Sequence, residues 1–158
     1  MDLKTLKYEV KDQVALITLF RPDQYNSVNS VMSQELPIVW DFFNKDSEAT
    51  VAIITGSGKK SFCTGADLTD LPTMNDEYGK ATLSSIKWTS LQNNIWKPVI
   101  CAVNGMTCGG GLHFIADSDI IICSSNSTFF DTHVKVGLVA GLEPVGLSKR
   151  IPIESVLR

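Results

Sequence analysis

The stretch NGMTCGGGLHFIAD, residues 104–117, places three consecutive glycines before an apolar run with the spacing of a helix. Glycine loses more backbone entropy on folding than any other residue, so three in succession at the start of a helix are costly. We expect them where the backbone must approach another group closely, with no side chain in between. The glycines therefore indicate either a ligand or a tightly packed neighbour at this point of the chain.

Apolar runs with strand character alternate with helical patterns along the chain. Strands are predicted for residues 13–20, 50–58, 98–105 and 119–125. One helix is predicted from Ser30, as its N-cap, through about Lys45, and another after the glycines through about Ala116. Residues 69–97 are expected to be helical in their later part and to end at Pro98. This alternation is typical of an α/β fold with a mainly parallel sheet that is covered on both faces.

Composition indicates one globular domain and excludes several classes of partner. The chain has 158 residues, of which 44% are hydrophobic and 20% charged, and its net charge is −3. With no basic cluster beyond Lys59 and Lys60, a nucleic-acid partner is not expected. The charged start, residues 1–12, is unlike a secretory signal, and no apolar run approaches the roughly 20 residues that span a membrane. We therefore expect no membrane partner and a cytoplasmic location.

Cysteine and tryptophan positions favour structural roles. The four cysteines match no CxxC metal or redox motif, so we expect reduced, buried thiols at Cys63, Cys101, Cys108 and Cys123. The three tryptophans are expected on helix faces in the core; they are Trp40, Trp88 and Trp96.

Two unusual loops follow predicted strands. KKSFCTGADL, residues 59–68, comes after the second strand, and NGMTCGGGLH, residues 104–113, comes after the third. Ligands of parallel sheets bind at the carboxyl ends of the strands, where both loops are expected to lie. Each loop can present backbone N–H groups, and two such donors aimed at one oxygen form an oxyanion hole.

Four segments, in this order, resemble the crotonase (enoyl-CoA hydratase/isomerase) superfamily. They are FRPDQYNSVNSVMSQEL at 20–36, SFCTGADL at 61–68, KPVICAVNGMTCGGGLHFIADSDIII at 97–122 and STFFDTHVKVGLVAGLEP at 127–144. The resemblance covers essentially the whole chain. It implies a crotonase-like spiral of ββα units, truncated at the C-terminus, with residues 1–158 as a core domain that lacks the usual C-terminal helical region.

The resemblance also implies the site. Its oxyanion donors would be the backbone N–H groups of Ala66 and Gly110, which bind the thioester oxygen as it gains enolate charge. The matching substrate-binding positions are Thr64, Gly65, Asp67, Leu68 and Gly109. In one alternative the three glycines only allow tight packing between helix and sheet. Asp67, similarly, could be structural and hold the loop.

The two histidines of the chain, His113 and His133, fall where hydratases of the family commonly carry glutamates. An imidazole, with a reference pKa of about 6.5, can act as a neutral base or a cationic acid near physiological pH. Each could instead be a satisfied core residue. Glu143 could orient a histidine, act as a third acid/base or be a solvated loop carboxylate. In an extended segment, Asp131 would share a face with His133.

These features predict an acyl-CoA enzyme of the hydratase/isomerase type. The alternatives are a crotonase-like C–C or thioester hydrolase that uses the histidine pair, and an inactive acyl-CoA-binding fragment. The coenzyme A thioester would be the substrate, with no separate cofactor, and Lys59 and Lys60 either attract its phosphates or are simply solvated. No metal is predicted at the candidate ligands Cys108, His113 and His133, since the glycines between them suit no metal geometry. The family resemblance implies a homo-oligomer, a trimer or a hexamer.

Overall fold

The computed structural model describes residues 1–70 and 86–156, which form two sheets. The five strands of the larger sheet are β1 (Leu6–Lys11), β2 (Val14–Leu19), β3 (Val51–Gly56), β5 (Val99–Val103) and β7 (Ile120–Cys123). They are hydrogen-bonded in the order β1-β2-β3-β5-β7, with β1 antiparallel to β2 and the other pairs parallel. The smaller parallel sheet has the order β4 (Ser61–Cys63), β6 (Met106–Cys108), β8 (Phe129–Phe130).

Helices lie between and after these strands. The described residues form the α-helices α1 (Ser30–Lys45), α2 (Leu112–Asp117), α3 (Glu143–Leu147) and α4 (Ile153–Val156). Single 3-10 turns occur at Pro22–Gln24, Leu91–Asn93, Gly109–Gly111 and His133–Val136. The predicted α/β class and the four predicted strands are confirmed. No helix within the described residues is long and apolar enough to cross a membrane.

Two local predictions are wrong. Asn29, rather than Ser30, caps α1, because its side-chain oxygen accepts a 2.9 Å hydrogen bond from the Met32 N–H. Within the predicted helix at 69–97, residues 71–85 lie outside the described part. Its later, described part contains only the turn Leu91–Asn93, which Asn94 ends in the left-handed conformation.

Burial also differs from expectation at the last strand of the larger sheet. All four residues of β7 are exposed, so this edge is not covered, and Cys123 is an exposed thiol. The other three cysteines are buried and all four are free. Trp40 and Trp88 are buried, but Trp88 lies outside any helix and Trp96 is 92% exposed.

Side-chain amides join the loops at the carboxyl ends of the central strands. Asn104, just after β5, donates to the carbonyls of Gly56 and Gly58, and its oxygen accepts from the Gly56 N–H. Asn26 donates to the carbonyls of Ser57 and Ser61 in the same region. These contacts fix the two glycine-containing loops beside each other.

Candidate active site

The two unusual loops meet at Gly65 and Gly110. A Cβ on Gly65, whose φ is +80°, would lie 2.6 Å from the backbone nitrogen of Gly110. A Cβ on Gly110 would in turn lie 3.5 Å from the Gly65 Cα. Both positions therefore require very small residues, and the two segments that carry the predicted oxyanion donors are in contact.

Packing against the chain itself accounts for much of the glycine run. A Cβ on Gly111 would lie 2.3 Å from the Cys63 carbonyl oxygen, and one on Gly110 would lie 2.8 Å from Cζ3 of Trp88. Gly109 has a φ of +50°, which favours glycine. Close packing of turn against sheet, the alternative stated above, is therefore present. It is compatible with a binding role, because this packing depends on the absence of side chains and not on the backbone N–H groups.

Parallel pairing determines how Ala66 is oriented. Val28 donates its N–H to the Gly65 carbonyl at 2.7 Å, and Asp67 donates its N–H to the Val28 carbonyl at 2.9 Å. In such a parallel bridge, the N–H of the middle residue points away from the partner. Among the described residues, no acceptor for the Ala66 N–H is present. Gly110 lies in the first turn of its segment, where N–H groups have no intrahelical acceptor.

Asp67 has a structural position beside the loop. One carboxylate oxygen lies 2.8 Å from the Arg21 guanidinium, and the other accepts from the Thr69 N–H and hydroxyl. Burial raises the pKa of this carboxyl, but the Thr69 and Arg21 contacts outweigh burial and hold the pKa below its ordinary value. Both oxygens of Asp67 are thus engaged within the protein.

The other predicted binding positions lie around the same loop. The Thr64 hydroxyl donates to the Tyr25 carbonyl at 3.4 Å, and its carbonyl oxygen lies 3.6 Å from Cys108 Sγ. Leu68 is 56% exposed, so its side chain is available to a ligand. Gly109 lies beside Thr132, whose Oγ1 would be 3.2 Å from an added Cβ.

Glu143 brings the two histidines together. Its Oε1 lies 3.1 Å from His113 Nε2 and 3.5 Å from His133 Nε2. The second nitrogen of His133, Nδ1, lies 2.5 Å from an Asp131 carboxylate oxygen. Glu143 is only 5% exposed, so its interpretation as a solvated loop carboxylate is wrong. The cluster holds two imidazoles and two carboxylates, a set that can exchange protons.

Three separate elements position this cluster. His113 is on α2, His133 begins a 3-10 turn and Glu143 begins α3. Helices α2 and α3 pack closely, since a Cβ on Gly146 would lie 3.0 Å from Cβ of Ala116. Arg150 adds a hydrogen bond from Nε to the Ala116 carbonyl. This packing sets the position of Glu143 against His113.

The charge state of Glu143 follows from its neighbours. Burial raises the pKa of its carboxyl, but hydrogen bonding to His113 and the charges of His113 and His133 together lower it below the ordinary value. Glu143 is therefore a carboxylate near neutral pH, and it can accept N–H groups but cannot donate a proton.

Two weaker predictions concern metals and phosphates. The described part of the chain contains no group of three or more side chains placed to hold a metal ion. Lys59 and Lys60 line a cavity of about 290 Å³ together with Tyr25, Ser57 and Gly58. A lysine-lined cavity can take an anionic group.

Sequence analysis missed two residues of this region. Arg21 received no role of its own from the sequence, and its contact with Asp67 joins positions 46 residues apart, which no local pattern indicates. Trp88 was assigned to a helix face, yet its ring lies against both Gly110 and His113. The apolar spacing of its segment indicated a helix, and no local pattern could have revealed these contacts.

Comparisons with known proteins agree with the geometry. The family model described as Enoyl-CoA hydratase/isomerase matches residues 9–155. The chain is 37% identical to an (E)-benzylidenesuccinyl-CoA hydratase of Thauera aromatica, over 91% of this chain and 57% of that protein. It is 36% identical to a short-chain-enoyl-CoA hydratase of Clostridium acetobutylicum, over 89% of this chain and 54% of that protein.

A solved structure is also similar. The crystal structure of an enoyl-CoA hydratase/isomerase from Mycobacterium paratuberculosis superposes with a TM-score of 0.85 and 38% identity. The match covers 99% of this chain and 60% of that one, and the chain likewise spans little more than half the length of its curated relatives. With a family model matched over nearly all of its residues, the chain belongs to the enoyl-CoA hydratase/isomerase family, the crotonase superfamily.

Proposed function

We propose that the chain is an acyl-CoA enzyme of the hydratase/isomerase type, which stabilises a thioester enolate with the N–H groups of Ala66 and Gly110. The observation that carries this proposal is the contact between Gly65 and Gly110, which brings the two donor segments together. Two preorganised donors aimed at a developing oxyanion are usually the largest single contribution to such catalysis.

Proton transfer is assigned to the histidine pair, with Glu143 orienting it. The carboxylate accepts the Nε2–H of His113 and so leaves Nδ1 of that ring as the nitrogen that can take a proton, while both ring nitrogens of His133 face carboxylates. In isomerisation, one imidazole removes a proton next to the thioester carbonyl, and a proton returns at another carbon of the enolate. In hydration, an imidazole removes a proton from water as the oxygen adds to the double bond, and the resulting enolate is then protonated.

A second candidate function is hydrolysis of a cyclic diketone or of an acyl-CoA. The observation that favours it is the replacement of the usual glutamates by His113 and His133, since a neutral imidazole can activate water for attack on a carbonyl. The bond then broken is a C–C bond or the thioester. A third candidate is an inactive chain that only binds acyl-CoA.

Further assignments extend the proposal. The coenzyme A thioester is the substrate, its phosphates lie near Lys59 and Lys60, and no separate cofactor is required. The active form is a homo-oligomer, a trimer or a hexamer, and it functions in the cytoplasm.

Titration with acetoacetyl-CoA tests the oxyanion hole directly, because its enolate absorbs in the near ultraviolet and its keto form does not. The unchanged chain should give a saturable enolate band. Replacing Gly110→Pro removes one donor and should weaken enolate formation about 100-fold, whereas Gly141→Ala, at a position with open space, should not. Binding without a band would contradict the proposed hole.

Replacing both histidines separates the candidates. The double variant His113→Gln, His133→Gln should retain the enolate band and lose turnover of the true substrate. Screening enoyl-CoA, acyl-CoA and cyclic diketone substrates with the unchanged chain then distinguishes addition of water to a double bond from hydrolysis. Absence of all turnover in pure protein would favour the inactive binding chain.

A further inference from the structure

One aromatic side chain contacts both halves of the candidate site. The outer edge of the Trp88 ring lies against Gly110, where an added Cβ would be 2.8 Å from Cζ3 and 3.6 Å from Cη2. The same ring meets the His113 imidazole edge to face, with 6.2 Å between centroids and an interplanar angle of 89°. Trp88 thus contacts both a proposed oxyanion donor and a proposed proton carrier.

The position of Trp88 is fixed by its own hydrogen bonds. Its indole N–H donates to Ser33 Oγ at 2.8 Å, and its backbone N–H donates to Gln92 Oε1 at 2.9 Å. Its carbonyl accepts from the Trp40 indole N–H at 2.7 Å. With 4% exposure, the ring is nearly inaccessible to a substrate. It is therefore an anchored spacer between α1 and the site.

We propose that Trp88 is a positioning residue that holds the Gly110 N–H and the His113 ring at a fixed separation. This inference rests on the proposed function. An enolate is stabilised only if the donor meets the oxygen while the imidazole meets the carbon, and a displacement of about 1 Å can cost about 100-fold in rate. A rigid ring packed against both groups keeps the distance between them constant.

Two variants test this with acetoacetyl-CoA and free coenzyme A. Trp88→Leu should lower the enolate fraction of bound acetoacetyl-CoA about tenfold, because the ring no longer supports Gly110 or His113. Trp88→Phe keeps an aromatic ring that ends short of Gly110 and should lower it less. Calorimetry with coenzyme A, which lacks the acyl carbonyl, should give affinities within about twofold of the unchanged chain for both variants, since Trp88 is not a ligand contact.

Phe43→Leu is the matched control, since Phe43 is fully buried on α1 and packs on Trp40 instead of the site. If it loses as much thermal stability as the Trp88 variants yet keeps the enolate band, loss of packing alone does not explain the effect. Gly110→Ala should weaken the band through its contact with the ring, and adding Trp88→Leu should restore part of it.

The outcomes separate the two proposals. If the unchanged chain binds acetoacetyl-CoA without an enolate band, the oxyanion hole fails, and the role of Trp88 fails with it. If the unchanged chain gives the band and Trp88→Leu gives the same band, only the positioning role is overturned. Should Trp88→Leu fail to fold, Trp88→Phe and Trp88→Tyr decide in the same way.

Discussion

The two halves of the candidate site are held in place by different forces. Around Gly65, Gly110 and Gly111, backbone packs directly on backbone or on a fixed ring, at distances that leave no room for a methyl group. Around His113, His133 and Glu143, three side chains from separate short elements meet through ionic and hydrogen-bonding contacts.

This difference predicts how each half of the site responds to substitutions and to pH. Close packing in a protein interior depends on shape, so the glycine half should be sensitive to added volume and insensitive to pH. A cluster of charged side chains depends on protonation, so the histidine half should respond to the loss of one charge with little change in overall shape.

The largest expected effect is on the glycine half. Gly111→Ala places a methyl group 2.3 Å from the Cys63 carbonyl oxygen, and neither can turn aside, because the backbone fixes the position of a Cβ and the carbonyl is itself backbone. We expect a loss of about 3 kcal/mol or more in the free energy of unfolding, measured by urea denaturation. The control Gly141→Ala, with its nearest neighbour at 4.0 Å, should change stability by less than about 0.5 kcal/mol. Equal stability of the two variants would contradict a packing role for the glycine run.

The next effect concerns the charge of the histidine half. Glu143→Gln keeps the size of the side chain but removes the carboxylate that faces both imidazoles. Turnover of an enoyl-CoA or hydrolysable substrate should fall about 100-fold, while the urea midpoint should change little. Glu154→Gln, on the exposed helix α4, supplies the matched control and should leave turnover unchanged. A large loss of stability without loss of turnover would show that Glu143 is purely structural.

Local sequence patterns were sufficient for the parts of the fold that depend on local preference. The apolar runs of β2, β3 and β5 and the amphipathic run of α1 are each contained in one continuous segment. Strand β1 was missed although its sequence, LKYEVK, alternates between apolar and charged residues, because the charged start of the chain was considered only as a possible signal segment. Pairing with β2 through a two-residue turn, with Asp12 and Gln13 at positive φ, determines that strand.

Some residues of the site, like some parts of the fold, could be identified from local sequence patterns, and others could not. The glycine loops and both histidines could be found from sequence, because glycine runs and isolated histidines are visible one residue at a time. The burial of Glu143 could not, since its partner His113 is 30 residues away and the packing of α2 on α3 places them together. Trp88 was missed for the same reason.

Asp67 tests the difference between the two halves of the site, because it is a charged residue in the half that is held by packing. Asp67→Asn should lower stability by about 2 kcal/mol at neutral pH, because charge-assisted hydrogen bonds to Arg21 and Thr69 are lost. The pKa of Asp67 lies below its unfolded value of 3.8, so its contribution is present above that pH and is lost as pH falls through the folded pKa.

Urea denaturation of both proteins across acidic pH measures this dependence. The stability difference between the unchanged chain and Asp67→Asn should be constant above about pH 5 and should shrink below pH 3.8. A difference that persists unchanged at the lowest pH would show that shape, and not charge, gives Asp67 its role. Shape alone, and not charge, would then hold every part of the glycine half in place.

The smallest expected change in stability concerns the start of helix α1, which lies beside the glycine half of the site. Val28 donates its N–H to the Gly65 carbonyl, and Ser33 on the first turn of α1 accepts the Trp88 indole N–H. The start of this helix therefore contacts both the Gly65 loop and Trp88. Asn29→Ala removes the side-chain cap and should cost about 1 kcal/mol, measured by urea denaturation. Ser30→Ala is the matched control, because Ser30 contributes its backbone N–H, to Asp70, and that donor remains. If Ser30→Ala lowered the free energy of unfolding more than Asn29→Ala, Ser30 would be the N-cap, as the sequence alone predicts. Helix α1 would then begin one residue later.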